Sequence, residues 1–239
     1  VPTIGHDNAY LALQGEQTTL LVDCASSPLL KLQEAGVDPL RVEYLILTHF
    51  HPDHMYGFPM LMLGLWLLGR STPLHVLAEA ETLQAAEALL SLFRPQDWPG
   101  FQAPIYHRLD LARDRRVLHL PDLDISGCPA EHILPSVALK FVDRSSGQTL
   151  VYSGDTSPCE RVARLARGAA VLVHEASGKA KGHSSAAEAG WVAARARVDR
   201  LYLVHYDARV PDLSALVTEA REQFAGPVEL AQDMQSFTF

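Results

Sequence analysis

The run Val42–Leu47 (VEYLIL) constrains this chain more than any other stretch. It is unbroken, apolar and of strand length, the pattern of a strand buried on both faces. It empties directly into Thr48-His49-Phe50-His51-Pro52-Asp53-His54, so three histidines and an aspartate crowd into six residues. A strand end followed by a turn and a helix start lets such side chains converge. Imidazole nitrogen and carboxylate oxygen at that density suit zinc, and also manganese or iron(II). Pro52 fixes its own φ and stiffens the loop. Asp53 is also placed to cap the helix that follows.

The rest of the chain reads as alternating elements. Tyr10–Leu13 and Thr19–Asp23 are expected as strands joined by a turn at Gln14-Gly15-Glu16, followed by a helix over Pro28–Ala35. Asp53–Leu68 reads as helix broken near Pro59, Leu74–Ala78 as strand and Glu79–Phe93 as helix. A β-rich middle follows: Ile105–Leu109, Val117–Leu120 and Ala138–Val142, then a hairpin at Arg144–Gly147 returning along Thr149–Ser153. The last third alternates. Pro158–Ala166, Ser184–Arg197 and Leu213–Phe224 read as helices, and Ala170–Val173, Leu201–Val204 and Val228–Leu230 as strands. Strands, then a meander, then alternating helices and strands point to an α/β fold, a four-layer αββα sandwich. No linker, repeat or low-complexity tract divides the chain, so residues 1–239 are expected to form one domain.

Composition narrows the function classes. The chain is 48% hydrophobic and 20% charged, which excludes a disordered polymer. Its longest apolar stretch, Phe58–Leu68, is interrupted by Pro59 and Gly64 and falls short of the roughly 20 residues of a membrane span. Acidic residues outnumber basic ones 28 to 20, for a net charge of −8, which argues against a broad phosphate-binding face. Cys24, Cys128 and Cys159 are far apart and form no CxxC pair, as expected of a reducing, cytoplasmic setting. The chain begins at Val1 rather than Met, which points to a missing N-terminal piece and leaves targeting open.

The HxHxDH pattern at His49–His54 resembles the signature of the metallo-β-lactamase superfamily of metal-dependent hydrolases. That superfamily carries three later ligands in fixed order, a His, a bridging Asp and a last His. The order is met by His132 in Ala130-Glu131-His132-Ile133, Asp155 in Ser153-Gly154-Asp155-Thr156, and His205 in Leu203-Val204-His205-Tyr206. The resemblance implies the metallo-β-lactamase fold and two divalent metal ions, with zinc the first expectation. One would be held by His49, His51 and His132, the other by Asp53, His54 and His205, with Asp155 between them. Two cations placed close together need a carboxylate to offset their repulsion. A water shared by both would lose its proton near neutral pH and serve as nucleophile.

A second group of motifs narrows the branch. His174-Glu175-Ala176-Ser177, then Gly182-His183-Ser184-Ser185, then Leu201-Tyr202-Leu203-Val204-His205 are similar to the ribonuclease Z branch. Its members are phosphodiesterases that trim the 3′ trailer of precursor tRNA. The resemblance implies that His183 contacts the scissile phosphate or the leaving oxygen, supported by Glu175. An alkoxide leaving group needs a proton, and a His held by a carboxylate can give one. Ser184 reads equally well as a helix cap. His174, His6, His75, His107 and His119 receive no role.

One departure matters. Typical enzymes of that branch that act on tRNA carry a long flexible arm between the third-motif His and the bridging Asp. Here only 23 positions separate His132 from Asp155, and a hairpin fills them. The expected substrate is therefore a small phosphodiester or an RNA 3′ end. An esterase, lactonase or arylsulfatase-like hydrolase of the same fold is the alternative, and a metal-holding regulatory protein without turnover the third reading. The branch also implies a homodimer. The apolar segments Met60–Arg70 and Leu83–Phe93 fit core helices, a pocket wall or a dimer contact.

Overall fold

The computed structural model describes residues 2–111 and 116–239. The backbone falls into two compact units, Asn8–Leu109 and the N-terminal stretch to Asp7 together with Asp110–Phe239.

The first unit holds a five-stranded sheet in the order β1-β2-β3-β4-β5. β1 (Leu11–Gln14) and β2 (Thr19–Val22) form the expected antiparallel hairpin. β3 (Tyr44–Ile46), β4 (His75–Ala78) and β5 (Ile105–Arg108) then add in parallel. The run Val42–Leu47 forms a ladder only three residues long, yet Val42, Leu45, Ile46 and Leu47 are all fully buried. Parallel strands need crossovers. These are α1 (Pro28–Glu34), α2 (Pro52–Met55) with α3 (Phe58–Leu67), and α4 (Ala80–Ser91). Phe58, Leu61, Met62 and Leu65 of α3 pack into one core with Leu45, Leu47 and Val76 of the sheet.

The helix break expected at Pro59 falls earlier, at Tyr56-Gly57. Proline in the first turn of α3 loses no bond, because its N–H would be unpaired there anyway. Gly57 carries the break because a Cβ there would lie 2.9 Å from the Ala25 backbone.

The second unit holds a seven-stranded sheet in the order β12-β11-β10-β9-β8-β7-β6. Its strands are β6 (Arg116–His119), β7 (Leu123–Pro129), β8 (Val137–Asp143), β9 (Thr149–Tyr152), β10 (Val171–Glu175), β11 (Arg200–Val204) and β12 (Val228–Leu230). β6 to β9 form an antiparallel meander, and β9 to β12 run parallel. The crossovers are α5 (Glu160–Leu165), α6 (Ala186–Ala196) and α7 (Ser214–Arg221). Two placements differ from the sequence reading. β5 joins the first sheet through β4 and not the meander. β7 was not anticipated: Gly127, Cys128 and Pro129 mask it, although alternate residues Leu123, Ile125 and Gly127 are buried.

Parallel strands bring their C-terminal ends to one edge of a sheet, where α/β proteins place their ligands. In the first unit these ends lead to Asp23 after β2 and to Thr48-His49 after β3. In the second they lead to Asp155 after β9, Glu175 at the end of β10 and His205 after β11.

Candidate metal centre

The first unit brings His49, His51, Asp53 and His54 together at the end of β3 and the start of α2. His49 and His54 are fully buried. The Thr48 hydroxyl lies 2.9 Å from both carboxylate oxygens of Asp23, so its proton goes there. Its oxygen then accepts from His49 Nδ1 at 3.1 Å, which leaves Nε2 as the lone-pair nitrogen of that ring. His49 Nε2 lies 3.0 Å from His51 Nδ1. Two nitrogens each about 2.0–2.1 Å from one ion lie roughly 3 Å apart, so the pair suits a shared divalent cation. His54 Nδ1 is 2.8 Å from Asp23 Oδ2, which directs its Nε2 the other way. Asp53 Oδ2 lies 3.8 Å from that Nε2, a spacing too long for a hydrogen bond and suited to two ligands of one ion.

The sequence alone assigns Asp23 no role beyond the end of a strand. It is fully buried, takes the left-handed backbone conformation at φ 64°, and accepts from the Thr48 N–H at 2.7 Å. One carboxylate thus fixes the loop backbone, the Thr48 hydroxyl and the His54 ring. Its only sequence signal is an aspartate closing the apolar run Thr19–Val22.

The second unit gathers His132, Asp155, His183, His205 and Glu175. His132 Nδ1 donates to the Gly182 carbonyl at 2.7 Å, again leaving Nε2 as the lone-pair nitrogen. Gly182 is in close approach here, since a Cβ on it would lie 2.8 Å from His132 Nδ1. Asp155 is buried, and its Oδ2 lies 3.8 Å from both His205 Nε2 and His183 Nδ1. One donor atom each from Asp155, His183 and His205 falls within 4.8 Å of the others.

Glu175 is buried and surrounded by donors. Oε1 accepts from the N–H groups of Thr156 (3.2 Å) and Ser184 (3.0 Å) and from His183 Nδ1 (3.1 Å). Oε2 accepts from the Ser177 N–H at 2.9 Å and its hydroxyl at 2.8 Å. It therefore ties three loops together and orients the His183 ring, so that Nε2 faces away from the carboxylate. Ser184 is not the helix cap; its hydroxyl donates to the Thr156 carbonyl. The cap of α6 is Ser185, in a reciprocal box with Glu188. His174 is fully buried, donates from Nδ1 to the Glu175 carbonyl at 2.8 Å, and its Nε2 has no hydrogen-bond partner among the described residues. Burial pushes its pKa below the usual histidine value, so the ring is neutral.

Borderline imidazole nitrogens dominate both groups, their lone pairs held by anchored rings, with hard carboxylate oxygens beside them. That chemistry fits divalent metal ions. The comparisons with known proteins point the same way. The model of the β-lactamase superfamily domain matches residues 18–206. Ribonuclease Z of Mycolicibacterium paratuberculosis is 30% identical over 246 positions, covering 90% of this chain and 85% of that protein. Ribonuclease Z of Methanothermobacter thermautotrophicus is 25% identical, covering 99% of this chain and 92% of its own. That alignment spans 291 positions, more than the 239 residues here, so the relative carries segments this chain does not. The metallo-β-lactamase fold protein YhfI of Bacillus subtilis superposes with a TM-score of 0.79 at 23% identity, covering 97% of this chain and 92% of that one.

Fold and donor chemistry together define a metal-dependent hydrolase with the metallo-β-lactamase fold, the α/β class expected. The chain belongs to the β-lactamase superfamily domain family, in its ribonuclease Z-like branch.

Proposed function

We propose that the chain is a dinuclear phosphodiesterase. His49, His51 and His132 would hold one ion, Asp53, His54 and His205 the other, and Asp155 would bridge. Zinc is the proposed metal, since imidazole dominates the donor set. Two ions so held would neutralise charge on the phosphate oxygens and lower the pKa of a shared water. The protein's own groups do the rest. Asp53 and Asp155 balance charge, and His183 gives a proton from Nε2 to the leaving oxygen.

The observation that carries the reading is the Glu175–His183 contact at 3.1 Å. A metal-holding regulatory protein needs ligands but no oriented proton donor beside them. Here a buried carboxylate with five donors around it keeps that imidazole in one tautomer and one orientation. The substrate we favour is a small phosphodiester, because the hairpin between His132 and Asp155 leaves no room for a nucleic-acid arm.

The same reading has the protein acting in the cytoplasm as a homodimer. Cys24, Cys128 and Cys159 are buried thiols, in keeping with a reducing compartment. Among the described residues no helix is long and apolar enough to cross a membrane. A second copy has an apolar face to meet on the first unit. There Tyr56, Met60 and Phe93 are exposed and line a cleft of about 120 Å³, and Leu67 and Leu92 of the same unit are exposed as well.

Hydrolysis of bis(p-nitrophenyl) phosphate by zinc-loaded protein, beside a simple p-nitrophenyl ester, tests the proposal. Diester turnover lost on chelation and in Asp53→Ala is expected. Turnover of the ester alone would replace it with the esterase or lactonase reading. Turnover of neither would favour the regulatory one.

A further inference from the structure

His205 stands out among the proposed ligands by its backbone. Its φ is 54°, in the left-handed region that residues with a Cβ seldom occupy. Such a conformation persists only where the surroundings over-determine it. On the N-terminal side that condition is met by the sheet. Val204 ends β11, opposite Glu175 on β10, and its carbonyl accepts from the Ala176 N–H at 2.9 Å. The restraint on the C-terminal side must come through Tyr206.

Tyr206 is buried and held at both ends by segments remote in sequence. Its hydroxyl donates to the Ala231 carbonyl at 2.8 Å, just past β12. Its ring packs against that of His6 at a tilt of 34°, with centroids 4.7 Å apart. His6 belongs to a short turn that closes on itself through two backbone bonds between Thr3 and His6. That turn is fastened to the C-terminal segment by Asp233. One oxygen accepts from the Asp7 N–H at 2.9 Å, and the other lies 3.8 Å from His6 Nδ1.

We infer that the N-terminal turn around His6 and the C-terminal segment Ala231–Asp233 form a clamp on Tyr206 that positions His205 as a metal ligand. His6 and Tyr206 are positioning residues: neither touches the metal, and both act through the backbone of His205. The sequence reading left His6 without a role. The clamp gives it one that needs only a flat ring against Tyr206. The inference rests on the proposed assignment of His205 to the second ion.

The test is stepwise zinc binding by metal-stripped protein against a chromophoric chelator, with cobalt(II) absorption as a spectroscopic check. His6→Ala should weaken one of the two equivalents by about 10- to 100-fold, the usual effect of losing a group that orients a ligand. The other equivalent should stay within about twofold, and the melting temperature of the stripped protein should not move. His6→Phe restores a ring and should recover most of the affinity. Tyr206→Phe, which loses only the hydroxyl contact, should fall between. The cobalt spectrum of His6→Ala should change in the same equivalent that His205→Ala removes.

Wild-type binding of both equivalents by His6→Ala, with one lost in His205→Ala, overturns the clamp alone. Loss of both equivalents together with a lower melting temperature also overturns it, in favour of a general structural role. Two wild-type equivalents in His205→Ala overturn the ligand assignment itself, and the clamp with it.

Discussion

Asp23 and His183, one in each of the two donor groups, show how a residue that holds ligands can be told apart from one that meets substrate. Asp23 touches His54 through Nδ1 and the loop of His49 and His51 through Thr48, so on the proposed assignment its work is to hold ligands. His183 is itself held, by Glu175, and its side chain is 19% exposed, enough to meet a substrate. Asp23→Ala should therefore lower zinc affinity by about 10- to 100-fold. His183→Ala should keep its zinc and lose about 10²–10⁴ in turnover. Metal content measured beside kcat on the same preparations separates the two. The prediction for His183 is exposed to a clear risk, because its donor atom falls within 4.8 Å of those of Asp155 and His205. Zinc lost from His183→Ala would make it a ligand. The sequence made His183 visible and hid Asp23 for one reason. The motif residues lie close along the chain, whereas Asp23 reaches Thr48 across 25 positions through pairing of β2 with β3. A single apolar run with an aspartate at its end does not reveal its neighbour in the sheet.

Elements were legible wherever one periodicity ran unbroken. The αβαβ alternation after Pro158 placed α5, β10, α6, β11, α7 and β12 within a few residues of their observed ends. β7 escaped because glycine and proline fall inside it, and both read as loop. Gly127 is there for space: a Cβ would lie 3.0 Å from the Ala138 carbonyl on β8. Gly190 in α6 makes the same point more sharply. Glycine inside a helix normally costs about 1 kcal/mol relative to alanine. Here the added Cβ would lie 2.3 Å from the Ala220 carbonyl oxygen of α7, a backbone atom that cannot rotate away. The steric term should win. Gly190→Ala is expected to destabilise by about 1–3 kcal/mol, at roughly 2–4 °C of melting temperature per kcal/mol for a chain of this size. A thermal melt of the variant checks the sign, and a higher melting temperature would mean that α7 can shift at little cost.

At the scale of the whole molecule, stability and substrate choice both depend on charge. The buried ring of His174 has its pKa below the unfolded value of about 6.5. The unfolded chain therefore takes up that proton first as the pH falls. The stability tied to this residue is complete above about pH 6.5 and is lost from there down towards the folded pKa, at no more than about 1.4 kcal/mol per pH unit. Urea unfolding of His174→Asn, which cannot titrate, should show a flatter profile between pH 6.5 and 5 than the wild type. Equal slopes would assign the acid sensitivity to another group.

Net charge argues the substrate question from outside the site. A protein that grips RNA along its backbone displaces counterions at each phosphate. With 6–10 such contacts its affinity falls by about 10³–10⁵ between 50 and 200 mM salt. This chain carries a net charge of −8, and His132 and Asp155 are 23 positions apart. Its ribonuclease Z relative from Methanothermobacter thermautotrophicus needs 291 aligned positions to cover it. On the proposed reading, few phosphates beyond the scissile one would be gripped. For a small diester, kcat/KM should thus change by less than about threefold over that salt range, since short-range contacts at the centre are little screened. The same measurement on an RNA with a 3′ trailer decides the matter. Weak, salt-insensitive cleavage of that RNA is expected. Efficient cleavage with a steep salt slope would mean that a local basic surface replaces the arm, and would return the chain to RNA processing.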